Sequence, residues 1–180
     1  MSENKKVIIV NLFSGPGAGK STTAAGLFYQ LKIRGINCEL VTEYAKHVTW
    51  RENFNTLKNQ IYVFAKQHDK MFHLKDKVDV IITDSPIVLS LSYCDFKVVS
   101  PSLENLILDE FNREENINLN YFINRVNPYS NKGRSQNEEQ AKEKDREIFA
   151  LLDKTHIPYC VIDGNNTAVG IIVEDVLKHI

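Results

Sequence analysis

Ser14-Gly15-Pro16-Gly17-Ala18-Gly19-Lys20-Ser21-Thr22 is the stretch that decides the fold of this chain. It directly follows the apolar run Val7–Phe13, which predicts a buried central strand, and it precedes a helical stretch. A phosphate group needs backbone N–H donors at close range, and Gly15, Gly17 and Gly19 remove the Cβ atoms that would obstruct them. The positive end of the helix dipole adds to this attraction. The stretch therefore predicts a phosphate-binding loop between a strand and a helix.

Two polar side chains complete the predicted loop. Lys20 can reach the β- and γ-phosphates of a nucleotide, and the hydroxyl of Ser21 is placed to ligate Mg²⁺. The pattern G-x-x-x-x-G-K-[ST] has Gly where this chain has Ser14, but that position contributes least to phosphate contact. A nucleotide triphosphate, ATP or GTP, should bind here, and we expect ATP with Mg²⁺. The expected nucleotide-binding residues are Gly15, Pro16, Gly17, Ala18, Gly19, Lys20, Ser21 and Thr22.

Strand-like and helical stretches alternate along the 180 residues, a pattern typical of an α/β fold with a parallel sheet. We predict one domain over residues 1–180, a three-layer α/β/α P-loop NTPase with a five-stranded parallel sheet. A polar segment at about 125–140 predicts a short lid. The predicted strands are Val7–Phe13, Cys38–Thr42, Val78–Thr83, Leu119–Asn124 and Tyr159–Asp163. The predicted helices are Lys20–Arg34, Asn55–Lys77, Leu103–Arg113, Glu138–Lys154 and Ala168–Ile180.

The composition favours a globular cytoplasmic protein. Hydrophobic residues make up 43% of the chain and the formal net charge is −1, which gives no support for a general nucleic-acid or membrane binder. The first residues are polar, so no signal peptide is expected. Cys38, Cys94 and Cys160 are widely separated, as expected for reduced thiols.

Two acidic residues follow predicted strands. Asp84 ends the run Val78–Thr83, and Glu43 follows the second strand, so both should lie at the carboxyl edge where such sheets bind ligands. Asp84 could hold Mg²⁺ or accept a proton from a substrate hydroxyl, or Asp84 or Ser85 could cap a helix that begins near Pro86. Glu43 could bind a sugar hydroxyl or act as general base, or it could be a solvated side chain.

Three motifs in this order and spacing resemble a family of small P-loop kinases. They are Gly15–Thr22, Glu43-Tyr44-Ala45-Lys46 and Thr83-Asp84-Ser85-Pro86. The family includes the nicotinamide riboside kinase domain and many phage proteins labelled only as AAA-type ATPases. The resemblance covers the whole chain, and its most specific motif is the P-loop. It implies that Glu43 and Asp84 flank an acceptor hydroxyl, and a more distant likeness to deoxynucleoside kinases supports Glu43 as the base. The chain departs from the family at Lys46, where Arg is expected.

The predicted lid carries Arg125, Lys132 and Arg134 without an acidic residue between them. It resembles the lid of nucleoside and nucleotide kinases, in which arginines neutralise the charge that develops during phosphoryl transfer. Arg125 and Arg134 are therefore candidate catalytic residues. The alternative is a solvated basic loop.

The resemblance also indicates where two nucleobases bind, that of the acceptor and the adenine of ATP. It places the acceptor base near Tyr44, His47, Trp50 and Gln60, where Trp50 could stack on a ring or pack in the core. The turn after the last predicted strand, at 163–168, resembles the adenine-contacting loop of P-loop kinases and makes Asn165 a candidate contact. Its alternative is a plain turn in which Thr167 caps a helix.

The sequence thus predicts a Mg-ATP-dependent kinase that transfers the γ-phosphate to a hydroxyl of a nucleoside, a nucleotide or a related riboside. One alternative is a phage DNA-modification kinase acting on hydroxymethyl-pyrimidine bases, although the neutral charge weighs against a duplex-binding surface. A further alternative is a nucleotide-driven ATPase or switch. The acceptor and the oligomeric state stay open.

Overall fold

The computed structural model describes residues 6–130 and 136–180. Five strands alternate with seven α-helices and one 3₁₀ helix in this part of the chain. The strands are β1 (Val7–Phe13), β2 (Cys38–Val41), β3 (Val80–Thr83), β4 (Asn116–Asn124) and β5 (Cys160–Asp163). The helices are α1 (Lys20–Lys32), α2 (Tyr44–Trp50), α3 (Phe54–Lys58), α4 (Gln60–Phe72), α5 (Ser102–Phe111), α6 (Glu138–Lys154) and α7 (Ala168–Val176), with the 3₁₀ helix at Ile87–Tyr93.

The strands form one sheet in the order β2-β3-β1-β4-β5, and every neighbouring pair is parallel. The strand β1 lies at the centre, and all seven of its residues are buried. A strand covered on both faces is apolar at nearly every position, which is why this run, apolar except for Asn11, predicted a central position. The predicted five-stranded parallel sheet is confirmed.

Alternate side chains of β1 enter two hydrophobic layers on opposite faces of the sheet. Ile8 and Val10 pack in the layer formed with α1 and α7. Ile9 and Phe13 pack in the other layer, with α4, α5, α6 and the 3₁₀ helix. The predicted three-layer α/β/α architecture is therefore confirmed.

The single long helix predicted at Asn55–Lys77 is wrong. The chain breaks at Asn59, whose φ of −89° and ψ of 82° are not helical, so α3 and α4 are separate. The side chain of Asn59 caps α4 by accepting a hydrogen bond from the backbone N of Tyr62 at 3.1 Å. The amide of Gln60 donates to the carbonyl of Leu57 at 2.6 Å, which holds the break in place. Periodicity alone did not reveal it because the apolar stripe continues across both helices.

The parallel arrangement brings the carboxyl ends of β1, β2, β3 and β4 to one edge of the sheet. The segments that follow these strands are therefore neighbours in space, although they are far apart in sequence. Among the described residues, no helix has the length and apolar character needed to cross a bilayer.

Candidate active site

The loop after β1 curls around its own lysine. Gly17 and Gly19 have φ values of 81° and 109°, in the left-handed region that glycine adopts without strain. Helix α1 begins at Lys20, whose Nζ donates to the carbonyls of Ser14 at 2.7 Å and Gly15 at 2.9 Å. Phosphate oxygens can replace these carbonyls as partners of the ammonium group. The geometry matches the phosphate-binding loop that the motif predicts.

Burial lowers the pKa of Lys20, and the nearby carboxylates of Glu43, Asp84 and Asp145 partly offset this effect. Desolvation disfavours the charged ammonium, whereas negative neighbours favour it. A bound phosphate would supply further negative charge. The site therefore becomes more favourable for the charged lysine when an anion binds.

Asp84 lies at the centre of the site and is only 2% exposed. Its Oδ2 accepts a hydrogen bond from the hydroxyl of Ser21 at 2.5 Å, and its Oδ1 accepts one from the backbone N of Glu43 at 3.0 Å. The capping alternative is wrong, because Pro86 occupies the N-cap position of the 3₁₀ helix and no side chain caps that helix. Ser21 and Asp84 thus present adjacent oxygen atoms, the ligand type that Mg²⁺ prefers.

Glu43 is half-buried at the start of α2, where its side chain makes no capping hydrogen bond. Burial raises the pKa of its carboxyl, while the charge of Lys20 opposes the rise and that of Asp84 adds to it. A carboxylate with a raised pKa is a stronger base than an ordinary glutamate. The structure thus brings Glu43 together with Lys20 and Asp84, as the sequence predicted, in an arrangement that can accept a proton.

Two further residues near Glu43 were not found from the sequence. The first is Gln67, which is only 3% exposed. Its Oε1 accepts a hydrogen bond from the backbone N of Tyr44 at 2.9 Å. Its Nε2 is buried and has no partner among the described residues. The 3₁₀ helix ends at Tyr93, which is 43% exposed; desolvation, followed by the charge of Glu43, raises the pKa of its phenol. The available signal for Gln67 was its place on the buried face of α4, where a polar side chain is unusual.

Arg125 directly follows β4 and lies against the loop. Its Nη1 donates to the carbonyl of Pro16 at 2.9 Å, and its Nε and Nη2 donate to Asp145 Oδ2 at 3.1 and 2.8 Å. The structure therefore brings this lid residue to the phosphate-binding loop. Asp145, on α6, is a partner that the sequence analysis missed. Lys132 and Arg134 lie outside the described residues.

Three of the residues predicted for the acceptor base, Tyr44, His47 and Trp50, lie on the short helix α2. Trp50 is 66% exposed, so its core-packing alternative is wrong, and His47 is also exposed. Gln60 uses its amide within the α3–α4 break. Tyr44 remains beside Gln67 through its backbone.

The turn after β5 lies beside the phosphate-binding loop. A Cβ added to Gly164 would clash with the backbone carbonyl of Ala18, so only glycine permits this approach. The side-chain oxygen of Asn165 accepts from the backbone N and the hydroxyl of Thr167, at 2.9 and 2.7 Å. Thr167 occupies the N-cap position of α7 but makes no capping hydrogen bond. The turn therefore packs against the loop, and Asn165 shapes it; contact with the adenine of a nucleotide stays a prediction.

The family model described as an AAA domain matches residues 9–168. This chain belongs to that family of AAA domains. The fold of this AAA domain is similar to that of a deoxyadenosine kinase from M. mycoides. One structure of that enzyme, with the products dCMP and a flexible dCDP bound, has a TM-score of 0.57 and 20% identity, covering 96% of this chain and 100% of that chain. Another, with bound dATP, has a TM-score of 0.55 and 19% identity, covering 95% and 98%.

The family match and the shared fold confirm the resemblance to small P-loop kinases. No curated protein sequence is significantly similar to this AAA domain. At 20% and 19% identity the kinase structures establish the fold alone, and both the activity and the substrate are inferred from the site.

We predict that Lys20→Ala weakens ATP binding by at least about tenfold, because a charge-assisted hydrogen bond to phosphate is lost. Removing Lys20 also takes away positive charge that offsets Glu43 and Asp84, so the affinity is compared in variant protein that circular dichroism shows to be folded. Isothermal titration calorimetry would measure the affinity. Lys32→Ala, at the exposed far end of α1, is the matched control. Undiminished ATP affinity in folded Lys20→Ala would refute the assignment of the loop.

We predict that the stability advantage of Glu43→Gln over the wild type grows as the pH rises above about 4, the pKa of an unperturbed glutamate. The folded protein binds the Glu43 proton more tightly than the unfolded chain does, so wild-type stability falls as the pH rises through the folded pKa. Glutamine cannot ionise and does not share this loss. Urea denaturation at several pH values measures the difference. Glu174→Gln, at an exposed position of α7, is the control, and a pH-independent difference at position 43 would contradict the raised pKa.

Proposed function

We propose that this AAA domain is a kinase that transfers the γ-phosphate of ATP to a hydroxyl group of a nucleoside, a nucleotide or a related riboside. The observation that carries the proposal is the position of Glu43. Its backbone is hydrogen-bonded to Asp84, which also binds the first turn of α1, and burial raises the pKa of its carboxyl. A base is thereby held beside a phosphate-binding loop, which suits the activation of a hydroxyl nucleophile.

Each residue has a role in the proposed reaction. The loop N–H groups and Lys20 bind and orient the phosphates, and Arg125 adds positive charge from the start of the lid. Ser21 and Asp84 would hold Mg²⁺, which offsets phosphate charge and polarises the γ-phosphoryl group when bound. The acceptor oxygen forms a bond to the γ-phosphorus, the bond to the oxygen of ADP breaks, and Glu43 takes the proton of the hydroxyl.

The surroundings of Glu43 support a polar acceptor. The Nε2 of Gln67, which has no partner in the part of the chain that the structure describes, is a buried donor that a ligand oxygen or ring nitrogen can satisfy. Tyr93 and Lys70 interact electrostatically with Glu43, and Nζ of Lys70 donates to the carbonyl of Thr42 at 2.9 Å. Hydrogen-bonding groups around a carboxylate suit a sugar and base better than an apolar alcohol. The resemblance to a deoxyadenosine kinase fold supports the same class of acceptor.

The test is a phosphoryl-transfer screen with γ-labelled ATP. The acceptors are ribo- and deoxynucleosides, their monophosphates, nicotinamide riboside and DNA that contains hydroxymethyl-pyrimidines, and the Lys20→Ala variant serves as the blank. We expect label transfer to one of the small acceptors. Transfer to the modified DNA alone would favour the DNA-modification kinase instead. ATP hydrolysis that no acceptor stimulates would favour an ATPase or switch.

We predict that Asp84→Asn and Glu43→Gln fail in different ways. Loss of a metal ligand at Asp84 should be partly rescued by raised Mg²⁺ or by Mn²⁺, whereas loss of the base at Glu43 should not be rescued. Glu43→Gln should lower kcat by about 10²- to 10⁴-fold with little change in ATP affinity, since proton transfer acts in the transition state. Steady-state kinetics on the acceptor found in the screen measures both. Wild-type activity in both variants would exclude the acid pair from the reaction.

A further inference from the structure

The carboxylate of Asp145 bridges two segments that are far apart in sequence. Its Oδ1 accepts hydrogen bonds from the hydroxyl of Ser14 at 2.9 Å and from the backbone N of Gly15 at 2.6 Å. Its Oδ2 accepts from Nε and Nη2 of Arg125 at 3.1 and 2.8 Å. The side chains of Asp145 and Arg125 are only 15% and 9% exposed, so solvent screens this pair weakly. One oxygen atom thus holds the loop and the other holds the arginine.

The bridge explains why this chain has Ser14 in place of the first glycine of the motif. A glycine there would provide no side-chain donor, whereas the hydroxyl of Ser14 is directed at Asp145 Oδ1. Gly15 must stay without a side chain, because a Cβ would lie 2.8 Å from that same oxygen. The first turn of the loop is therefore shaped to receive the carboxylate.

The guanidinium of Arg125 is fixed from three directions. Asp145 binds one edge, the carbonyl of Pro16 accepts from Nη1 at 2.9 Å, and the ring of Tyr129 lies 5.6 Å from Cζ. A guanidinium has five N–H donors, and three of them make these hydrogen bonds. The other two, one on Nη1 and one on Nη2, have no partner among the described residues. A Cβ on Gly17 would lie 3.2 Å from Nη1, so the remaining donors lie beside the middle of the loop.

We propose that Asp145 is a positioning residue that holds Arg125 against the phosphate-binding loop, so that Arg125 presents its remaining N–H donors to the terminal phosphate of the nucleotide. The inference rests on the proposed nucleotide-binding function of the loop. Arg125 then does not have to be recruited from a solvated lid when ATP binds. The ordering of its side chain, which is costly for a flexible arginine, is already provided by the protein.

The test measures the affinity for a non-hydrolysable ATP analogue and the affinity for ADP. The ratio of the analogue affinity to the ADP affinity reports contact with the γ-phosphate. It is measured by calorimetry in the wild type, Asp145→Asn, Arg125→Ala and the double variant. In Asp145→Asn the side-chain carbonyl can still accept from the loop, but the new NH₂ group faces the guanidinium donors. We expect each single variant to lower the ratio by about tenfold, the size expected for one charge-assisted hydrogen bond, and the double variant to lower it no further than Arg125→Ala.

The control is Glu143→Gln, an exposed position of α6 whose side chain pairs with Arg146; its ratio should equal that of the wild type. Losses that add in the double variant, or an unchanged ratio in Asp145→Asn, would overturn the proposal. If Asp145→Asn does not fold, the affinity of Arg125→Ala for the ATP analogue is measured with and without added methylguanidinium. Recovery of affinity for the analogue supports a carboxylate held ready for a guanidinium, and no recovery overturns it.

These measurements require no acceptor, so they separate the inference from the proposed kinase reaction. If the variants show the expected ratios but the wild type phosphorylates no acceptor, the kinase function is overturned and the role of Asp145 stands. A wild type that binds neither nucleotide would overturn both.

Discussion

The buried carboxylate of Asp84 is the interaction on which the rest of the site depends. It binds the first turn of α1 through Ser21 and the start of α2 through the backbone of Glu43. A carboxylate that is 2% exposed must be offset by hydrogen bonds and positive charge, and both Lys20 and the N-terminus of α1 lie close by. The loop that binds phosphate and the residue that would act as base are therefore placed relative to one another by a single side chain.

The charges of the site are balanced against one another before any ligand contributes. Burial lowers the pKa of Lys20 and raises that of Glu43, and in each case the charge of the other residue opposes the shift. Asp145 and Arg125 form a second pair of opposite sign. Partly buried groups of this kind reduce stability unless their partners stay in place. The arrangement is thus better explained by the binding and chemistry of an anion than by the stability of the fold.

The features that could be predicted from the sequence are those that short local patterns indicate. The glycines and Lys20 fall within nine residues, and Asp84 directly follows an apolar strand, so the loop, the parallel sheet and the acids at its edge were all accessible. The role of Asp145 could not be predicted from the sequence, because it lies 130 residues from Gly15 within a helix that contains several other acidic residues. Nothing local distinguishes it from Glu143. The conclusion that Ser14 is a harmless departure was also incomplete, since only the fold shows which acceptor its hydroxyl meets.

The glycines of the loop are required by protein packing as well as by phosphate. A Cβ at Gly15 would lie 2.6 Å from the carbonyl of Ala141, a backbone atom of α6 that cannot turn aside. A Cβ at Gly17 would lie 2.8 Å from the ring of Tyr129. The helix α6 and the segment after β4 therefore approach the loop this closely only because these side chains are missing. Since these protein contacts fix the loop, its N–H groups lose little conformational entropy when they bind a phosphate.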